Sequence, residues 1–352
     1  MKAARWYGNK DVRIENIPKP KITKDDDVLL EIEWCGVCGT DLHEYEEGPV
    51  YIQEHPHVLT GQKPPITLGH EFCGIVREVG SAVTRVKIGD SVCCYPVLSC
   101  RECEACLQGK YHFCEKIGYI GTSLDGGFAE YTLVPEYSCA IVPPGISAEE
   151  ASMIEPAAMV VRAVNRVCVK NGDCVAVVGC GPIGLITIQV ARLYGATKII
   201  AFDTVAERRE KAESIGANIV IDPRATNFQE QLRALLSDSK ISVIFECVGS
   251  NQAMELCTSL AFTGSRIMVM GINPGLFPLR ILDLVDKEIV LMGNMGGGGY
   301  FEKTLQHVVD GDLDLKTLIS AKVGLKNFVN QLDAILANRS KFLKVLVNPK
   351  DV

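Results

Sequence analysis

The sequence has no stretch apolar enough to cross a bilayer, no cluster of lysines and arginines, no internal repeat, and no low-complexity tract beyond the glycines at 296–299. Its start, Met1-Lys2-Ala3-Ala4-Arg5-Trp6, lacks the apolar core and small-residue cleavage site of a secretory signal. With a formal net charge of −7, little attracts the chain to phosphate backbones or anionic lipid. Neither nucleic acid nor a membrane is an expected partner. Fifteen cysteines without an export signal point to a reducing compartment, where thiols serve as metal ligands or small core residues, so the expected location is cytoplasmic. What is present is globular: 47% hydrophobic and 22% charged residues leave no room for long disorder. A length of 352 residues exceeds one core of about 100 to 150 residues, and two domains are expected.

Residues 1–155 carry short β-like runs between turns, at Val28–Trp34, Cys73–Val79, Ser91–Tyr95, Phe128–Val134 and Ser138–Val142. Over 156–293 the pattern becomes a βα rhythm, with candidate strands Cys174–Val178, Lys198–Phe202, Asn218–Ile221, Ser242–Glu246, Arg266–Met270 and Ile289–Met292. Six such strands suit a doubly wound parallel sheet. Residues 294–352 hold a helix at Phe301–Val309 and a strand at Phe342–Val347, show no βα rhythm of their own, and are expected to return to the first domain. The fold class is α/β plus β, with the nucleotide-binding type of domain inserted.

Three constellations imply chemistry. Cys100, Cys103, Cys106 and Cys114 sit at a spacing that lets four thiolates close around one Zn²⁺, a full shell with a structural role. The turn Gly179, Gly181, Pro182, Ile183, Gly184 follows a strand and opens a helix, where glycines admit a pyrophosphate and the helix N-terminus donates N–H groups. Asp203, at the end of the next strand, can accept hydrogen bonds from ribose hydroxyls and would repel a 2′-phosphate, which favours NAD. Arg208 is counted with the cofactor-binding residues, and Arg208 and Arg209 alone keep NADP open. The third constellation is dispersed: Cys38 to His43, Gly69-His70-Glu71 and Glu155. Singly, such a His or Glu is more often a structural residue. Together they offer one thiolate, one imidazole and one or two carboxylates, a set that leaves an open position on a catalytic zinc.

The order of these motifs resembles the zinc-dependent medium-chain dehydrogenases over essentially the whole chain. That resemblance implies a GroES-like catalytic domain, a Rossmann domain, two Zn²⁺ per subunit (one catalytic, one structural), NAD, and a homodimer or homotetramer. It implies Cys38, His70 and Glu155 as catalytic-zinc ligands, with Glu71 a further ligand or an orienting group, and Thr40 and His43 as a proton relay. Glu155 and the long loop Gly48–Gly61 are similar to the branch acting on polyols and diols, and within it to members acting on 2,3-butanediol and acetoin. Sorbitol or xylitol oxidation is the rival activity. A non-catalytic zinc-binding interaction protein is the alternative of another class. Gly39 departs from the basic residue that other members place near the pyrophosphate.

Overall fold

The computed structural model describes every residue except 239, 274, 278 and 352. It divides into two compact units, the first made of Met1–Ala158, Gly296–Asp310 and Leu315–Val352, the second of Met159–Met295 and Gly311–Asp314.

Along the first segment run β1 (Lys2–Gly8), β2 (Asp11–Asn16), β3 (Asp27–Gly36), α1 (Gly39–Glu47), β4 (Ile66–Thr67), β5 (Glu71–Val79), β6 (Ser91–Cys94) and β7 (Val97–Leu98). They are followed by α2 (Glu104–Leu107), β8 (Gly118–Tyr119), β9 (Tyr131–Pro135), β10 (Cys139–Ile141), α3 (Ala148–Ala151) and α4 (Ile154–Arg166). Strands β10, β6, β5 and β3 form one sheet, with β9 also paired to β3. Val28, Leu30 and Ile32 alternate onto one face of β3 and pack with Phe72, Phe128 and Phe328, the period of two expected of a strand that buries a face. The expected strand Phe128–Val134 starts only at Tyr131. The Phe128 N–H donates to the Leu68 carbonyl and its own carbonyl accepts from the Ala4 N–H, so Phe128 is spent on bridging separate segments.

The second unit contains β11 (Cys174–Val178), α5 (Pro182–Leu193), β12 (Lys198–Phe202), α6 (Ala206–Ser214), β13 (Ile219–Ile221), α7 (Phe228–Asp238), β14 (Val243–Glu246), α8 (Asn251–Leu260), β15 (Arg266–Val269), α9 (Ile281–Lys287) and β16 (Val290–Gly293). Its sheet has the order β13-β12-β11-β14-β15-β16 and every pairing is parallel. This is the doubly wound order, reversing direction at β11. Helices cover the central strands, which accounts for their uninterrupted apolar runs: Val175, Ala176 and Val177 are fully buried.

The chain then adds α10 (Phe301–Val309), β17 (Ile319–Gly324), α11 (Phe328–Ala337) and β18 (Lys344–Asn348) to the first unit. Contrary to the expectation for this tail, β17, α11 and β18 form a βαβ unit whose strands pair in parallel. The signal was weak because β17 is a half-exposed edge strand that carries Ser320 and Lys322. Strand β18 pairs antiparallel with β3, completing a seven-stranded sheet.

Candidate active site and metal centres

Cys38 caps the N-terminus of α1, and its N–H donates to Asp41 Oδ2 at 2.9 Å. The other Asp41 oxygen accepts from the Gly69 N–H at 3.2 Å and stands 3.9 Å from His70 Nδ1. One buried carboxylate thereby ties the helix bearing Cys38 to the turn bearing His70. The turn needs glycine: Gly69 has φ +96°, and a Cβ there would lie 2.7 Å from Cys35 Sγ. The ligand atoms of Cys38, His70 and Glu71 all lie within 4.8 Å of one another. Glu155, on α4, falls outside that trio, yet its charge acts on His70. Thr40 Oγ1 is 3.7 Å from Cys38 Sγ, and His43, three residues further along α1, shares its face of the helix.

Glu71 is buried at the start of β5, opposite Gly36 of β3. Its Oε2 is 2.5 Å from Lys344 Nζ, at the start of β18, and the same ammonium donates to the Val37 carbonyl at 3.0 Å. Three adjacent strands therefore converge on one buried ion pair, and Gly36 leaves it room, because a Cβ there would sit 2.5 Å from Glu71 Oε2.

Charge in this region is lopsided. Burial pushes Glu155 up to about 7, with His70 opposing and Glu71 reinforcing the shift. Burial also raises Asp41. His70 is drawn down by burial, but the Cys38 sulfur, Asp41 and Glu155 outweigh that and hold its pKa above the ordinary value. One thiol and three carboxyl groups thus compete for the positive charge of one imidazole and Lys344. A soft-to-borderline divalent cation held by sulfur, nitrogen and carboxylate oxygen answers this imbalance, and the donor set fits zinc.

The four-cysteine lobe also fits zinc. Cys100 Sγ lies 3.9 Å from Cys106 Sγ and 3.5 Å from Cys114 Sγ. A tetrahedral shell with Zn–S of about 2.3 Å requires S···S separations of about 3.8 Å. Backbone N–H groups of Cys100 and Lys116 point at Cys114 Sγ, and that of Cys103 at Cys100 Sγ. Such donors favour thiolate: hydrogen bonds from the Glu115 and Cys106 backbone lower Cys103 to about 6.

In the second unit, Gly179 leaves β11 with φ +96° and Gly181 caps α5, which has Pro182 at its first turn followed by Ile183. A Cβ on Gly184 would lie 1.8 Å from the Gly179 carbonyl oxygen, so only glycine lets helix and strand pack this closely. A Cβ on Gly181 would meet nothing within 4 Å, and the backbone there is open to a ligand. Asp203, just after β12, accepts from the Cys180 N–H at 2.7 Å and the Val205 N–H at 2.8 Å, so it also braces the glycine turn. Arg209 is engaged by Asp222 at 3.2 Å and by the Asp203 carbonyl at 2.8 Å, whereas Arg208 on α6 is half-buried.

Motif spacing did not reveal Asp41, Lys344 or Glu44. The buried Glu44 carboxylate accepts the N–H groups of Val50, Tyr51 and Ile52, pinning the loop after α1. An acidic residue three positions after Cys38, at the start of a helix, was a readable capping signal for Asp41. Nothing local marks Lys344.

A GroES-like β unit and a Rossmann sheet, the one with a Cys–His–Glu set and the other with a glycine turn backed by a carboxylate, define an alcohol-dehydrogenase type of oxidoreductase. Residues 24–144 match the alcohol dehydrogenase GroES-like domain, and residues 182–310 match the zinc-binding dehydrogenase family. The chain is 36% identical to the (R,R)-butanediol dehydrogenase of Bacillus subtilis (strain 168), over 99% of this chain and 100% of that one. It is 30% identical to the sorbitol dehydrogenase of the same organism, over 99% and 97% of the two chains. The crystal structure of 2R,3R-butanediol dehydrogenase from Bacillus subtilis superposes with a TM-score of 0.91 at 34% identity, covering 99% of both chains. The chain belongs to the zinc-binding dehydrogenase family and is a zinc-dependent oxidoreductase.

Replacing Lys344 by Met strands the Glu71 carboxylate in the core. The expected cost is about 3–5 kcal/mol in chemical unfolding, with much of it recovered in the Lys344→Met/Glu71→Gln double variant. A cycle with no coupling between the two positions would show that the pair contributes nothing.

Proposed function

We propose that this chain interconverts a vicinal secondary diol and its α-hydroxyketone, 2,3-butanediol and acetoin, using NAD. The observation that supports it most is the Cys38–His70–Glu71 set, half-buried at the thiol and the imidazole and with Glu155 acting on His70, in a chain that aligns end to end with a butanediol dehydrogenase. Cys38 and His70 would hold the catalytic zinc, with Glu155 or the nearby Glu71 as the carboxylate ligand. Cys100, Cys103, Cys106 and Cys114 hold the structural one. When bound, the catalytic zinc supplies a Lewis acid that eases loss of an alcohol proton, and NAD accepts the hydride.

The chain's own residues supply the rest. Asp41 stands beside the His70 ring and favours its positive charge, and the Glu71–Lys344 pair offsets one negative charge beside the ligands. The Thr40 hydroxyl would accept the substrate proton while passing its own on, by way of the nicotinamide ribose, to His43 on the same helix, which would release a proton to water. In the second unit the N–H groups at the start of α5 hold the pyrophosphate, while Asp203 accepts from the ribose hydroxyls. Asp203, at the end of β12, would repel a 2′-phosphate, which favours NAD over NADP. Sorbitol oxidation is the second reading, supported by the 30% identity to a sorbitol dehydrogenase.

The chain has no helix, among the described residues, long and apolar enough to cross a membrane. Its fifteen free cysteines suit a reducing cytoplasm. Self-association is supported by β16, the edge of the parallel sheet, where Val290 is 48% and Leu291 40% exposed. An open apolar edge of this kind invites pairing with a second copy.

Elemental analysis should find two zinc ions per wild-type chain. Cys103→Ser should keep one zinc and most turnover but melt earlier, whereas Cys38→Ser should lose the other zinc and at least about a hundredfold in rate. Near-normal turnover in Cys38→Ser would refute the catalytic site. In an initial-rate panel with NAD, a 2,3-butanediol isomer should outrun sorbitol and xylitol; the reverse order would establish the rival activity. Light scattering should show an oligomer that Leu291→Lys dissociates, and a monomeric wild type would remove the proposed interface.

A further inference from the structure

Strands β12 and β13 run parallel and end side by side, with Phe202 opposite Ile221, so the residues that follow them, Asp203 and Asp222, are brought together. The Asp203 N–H donates to the Ile221 carbonyl at 3.2 Å, one residue before Asp222. Two guanidinium groups meet there. Arg209, in α6, has an Nη1 that reaches Asp222 Oδ2 at 3.2 Å and the Asp203 carbonyl at 2.8 Å. Arg224, in the turn after β13, has its Nε 3.9 Å from Asp222 Oδ1 and donates from Nη2 to the Thr204 carbonyl at 2.7 Å. Asp222 thus pairs with both arginines, and both reach the backbone of Asp203 and Thr204.

In a dinucleotide-binding sheet of this kind the adenosine ribose hydroxyls belong at the carboxylate that ends the second strand, and a 2′-phosphate is accommodated by an arginine near that carboxylate. Arg209 and Arg224 are such arginines by position, yet their charges are already met by Asp222. The carboxylates of Asp203 and Asp222 cancel the two guanidiniums, a balance that suits an uncharged ribose. A 2′-phosphate brings on the order of two further negative charges at neutral pH. It would have to take the guanidiniums from Asp222 before forming the bidentate contacts that arginine makes with phosphate.

Resting on the preference for NAD proposed above, we propose that Asp222 is a second determinant of cofactor choice: it holds Arg209 and Arg224 neutralised beside the ribose site and so refuses the 2′-phosphate of NADP. The two carboxylates then act differently. Asp203 meets the ribose hydroxyls directly, whereas Asp222 acts through the two arginines and is a positioning residue. Asp222→Asn removes the charge and keeps an oxygen for the Arg224 N–H, which donates to Asp222 Oδ1 at 2.9 Å. Arg224→Gln alters a side chain that is 69% exposed and leaves Asp222 less compensated.

The test measures dissociation constants of NADH and NADPH at low salt from the fluorescence of the reduced nicotinamide, which requires neither turnover nor an alcohol substrate. Wild type should bind NADH more tightly than NADPH. Asp222→Asn should tighten NADPH about tenfold and leave NADH within about twofold, and the gain should shrink at high salt, because it is electrostatic. Arg224→Gln should weaken NADPH about fivefold by the same argument. The Asp222→Asn/Arg224→Gln double variant should return close to wild type. NADPH affinity unchanged in Asp222→Asn, or NADH and NADPH affinities changed alike, overturns the role of Asp222 and leaves the preference for NAD standing. Should Asp222→Asn fail to fold, Arg224→Gln alone decides, and unchanged NADPH affinity there overturns the inference. A wild type that binds NADPH as tightly as NADH overturns the preference for NAD and the inference with it.

Discussion

Acidic groups crowded together largely out of water, with only one imidazole and one ammonium beside them, are the constraint on which this site depends. Cys38, Asp41, Glu71 and Glu155 are gathered around one imidazole and one ammonium. Carboxylates removed from water demand partners, and burial alone would protonate them. Lys344 meets part of that demand, and its own pKa, which burial lowers, is held above the ordinary value chiefly by Glu71. The remainder is a standing attraction for a cation, so the structural and the chemical reading of this cluster are two sides of one electrostatic fact.

The scaffold serves that cluster through its strands. β3 supplies Gly36, β5 supplies Glu71 and β18 supplies Lys344, and their pairing sets the three side by side. The last fifty residues of the chain therefore complete the surroundings of a site whose other members lie in the first 160. The second unit works by a different means. There, close packing of α5 on β11 and the bonds of Asp203 to the glycine turn shape a backbone surface, and few side chains take part.

Residues that act together through short spacings were legible. The four-cysteine lobe, the glycine turn and the βα rhythm each lie within a continuous stretch, where side-chain chemistry and periodicity carry the information. The dispersed set was legible only in part. Cys38 and His70 belong to recognisable clusters, but Asp41 reads locally as a helix cap, and only the fold brings its second oxygen to Gly69 and near His70. Of the tail, the return to the first unit is legible but the βαβ unit is not, because β17 is an edge strand with polar residues on its open face, and such strands carry little apolar signal.

What the sequence determined by itself was the chemistry available: which residues can bind a metal, which turn can receive a dinucleotide, and which stretch alternates β with α. These follow from local spacing and backbone freedom, which survive without knowledge of the fold. Tertiary structure alone decided that Lys344 meets Glu71 across 273 positions, that Glu44 gathers the loop bearing Tyr51, and that Glu71 joins Cys38 and His70 in one cluster. The reason is that burial and strand register set how strongly buried charges act on one another, and neither is a property of any short segment.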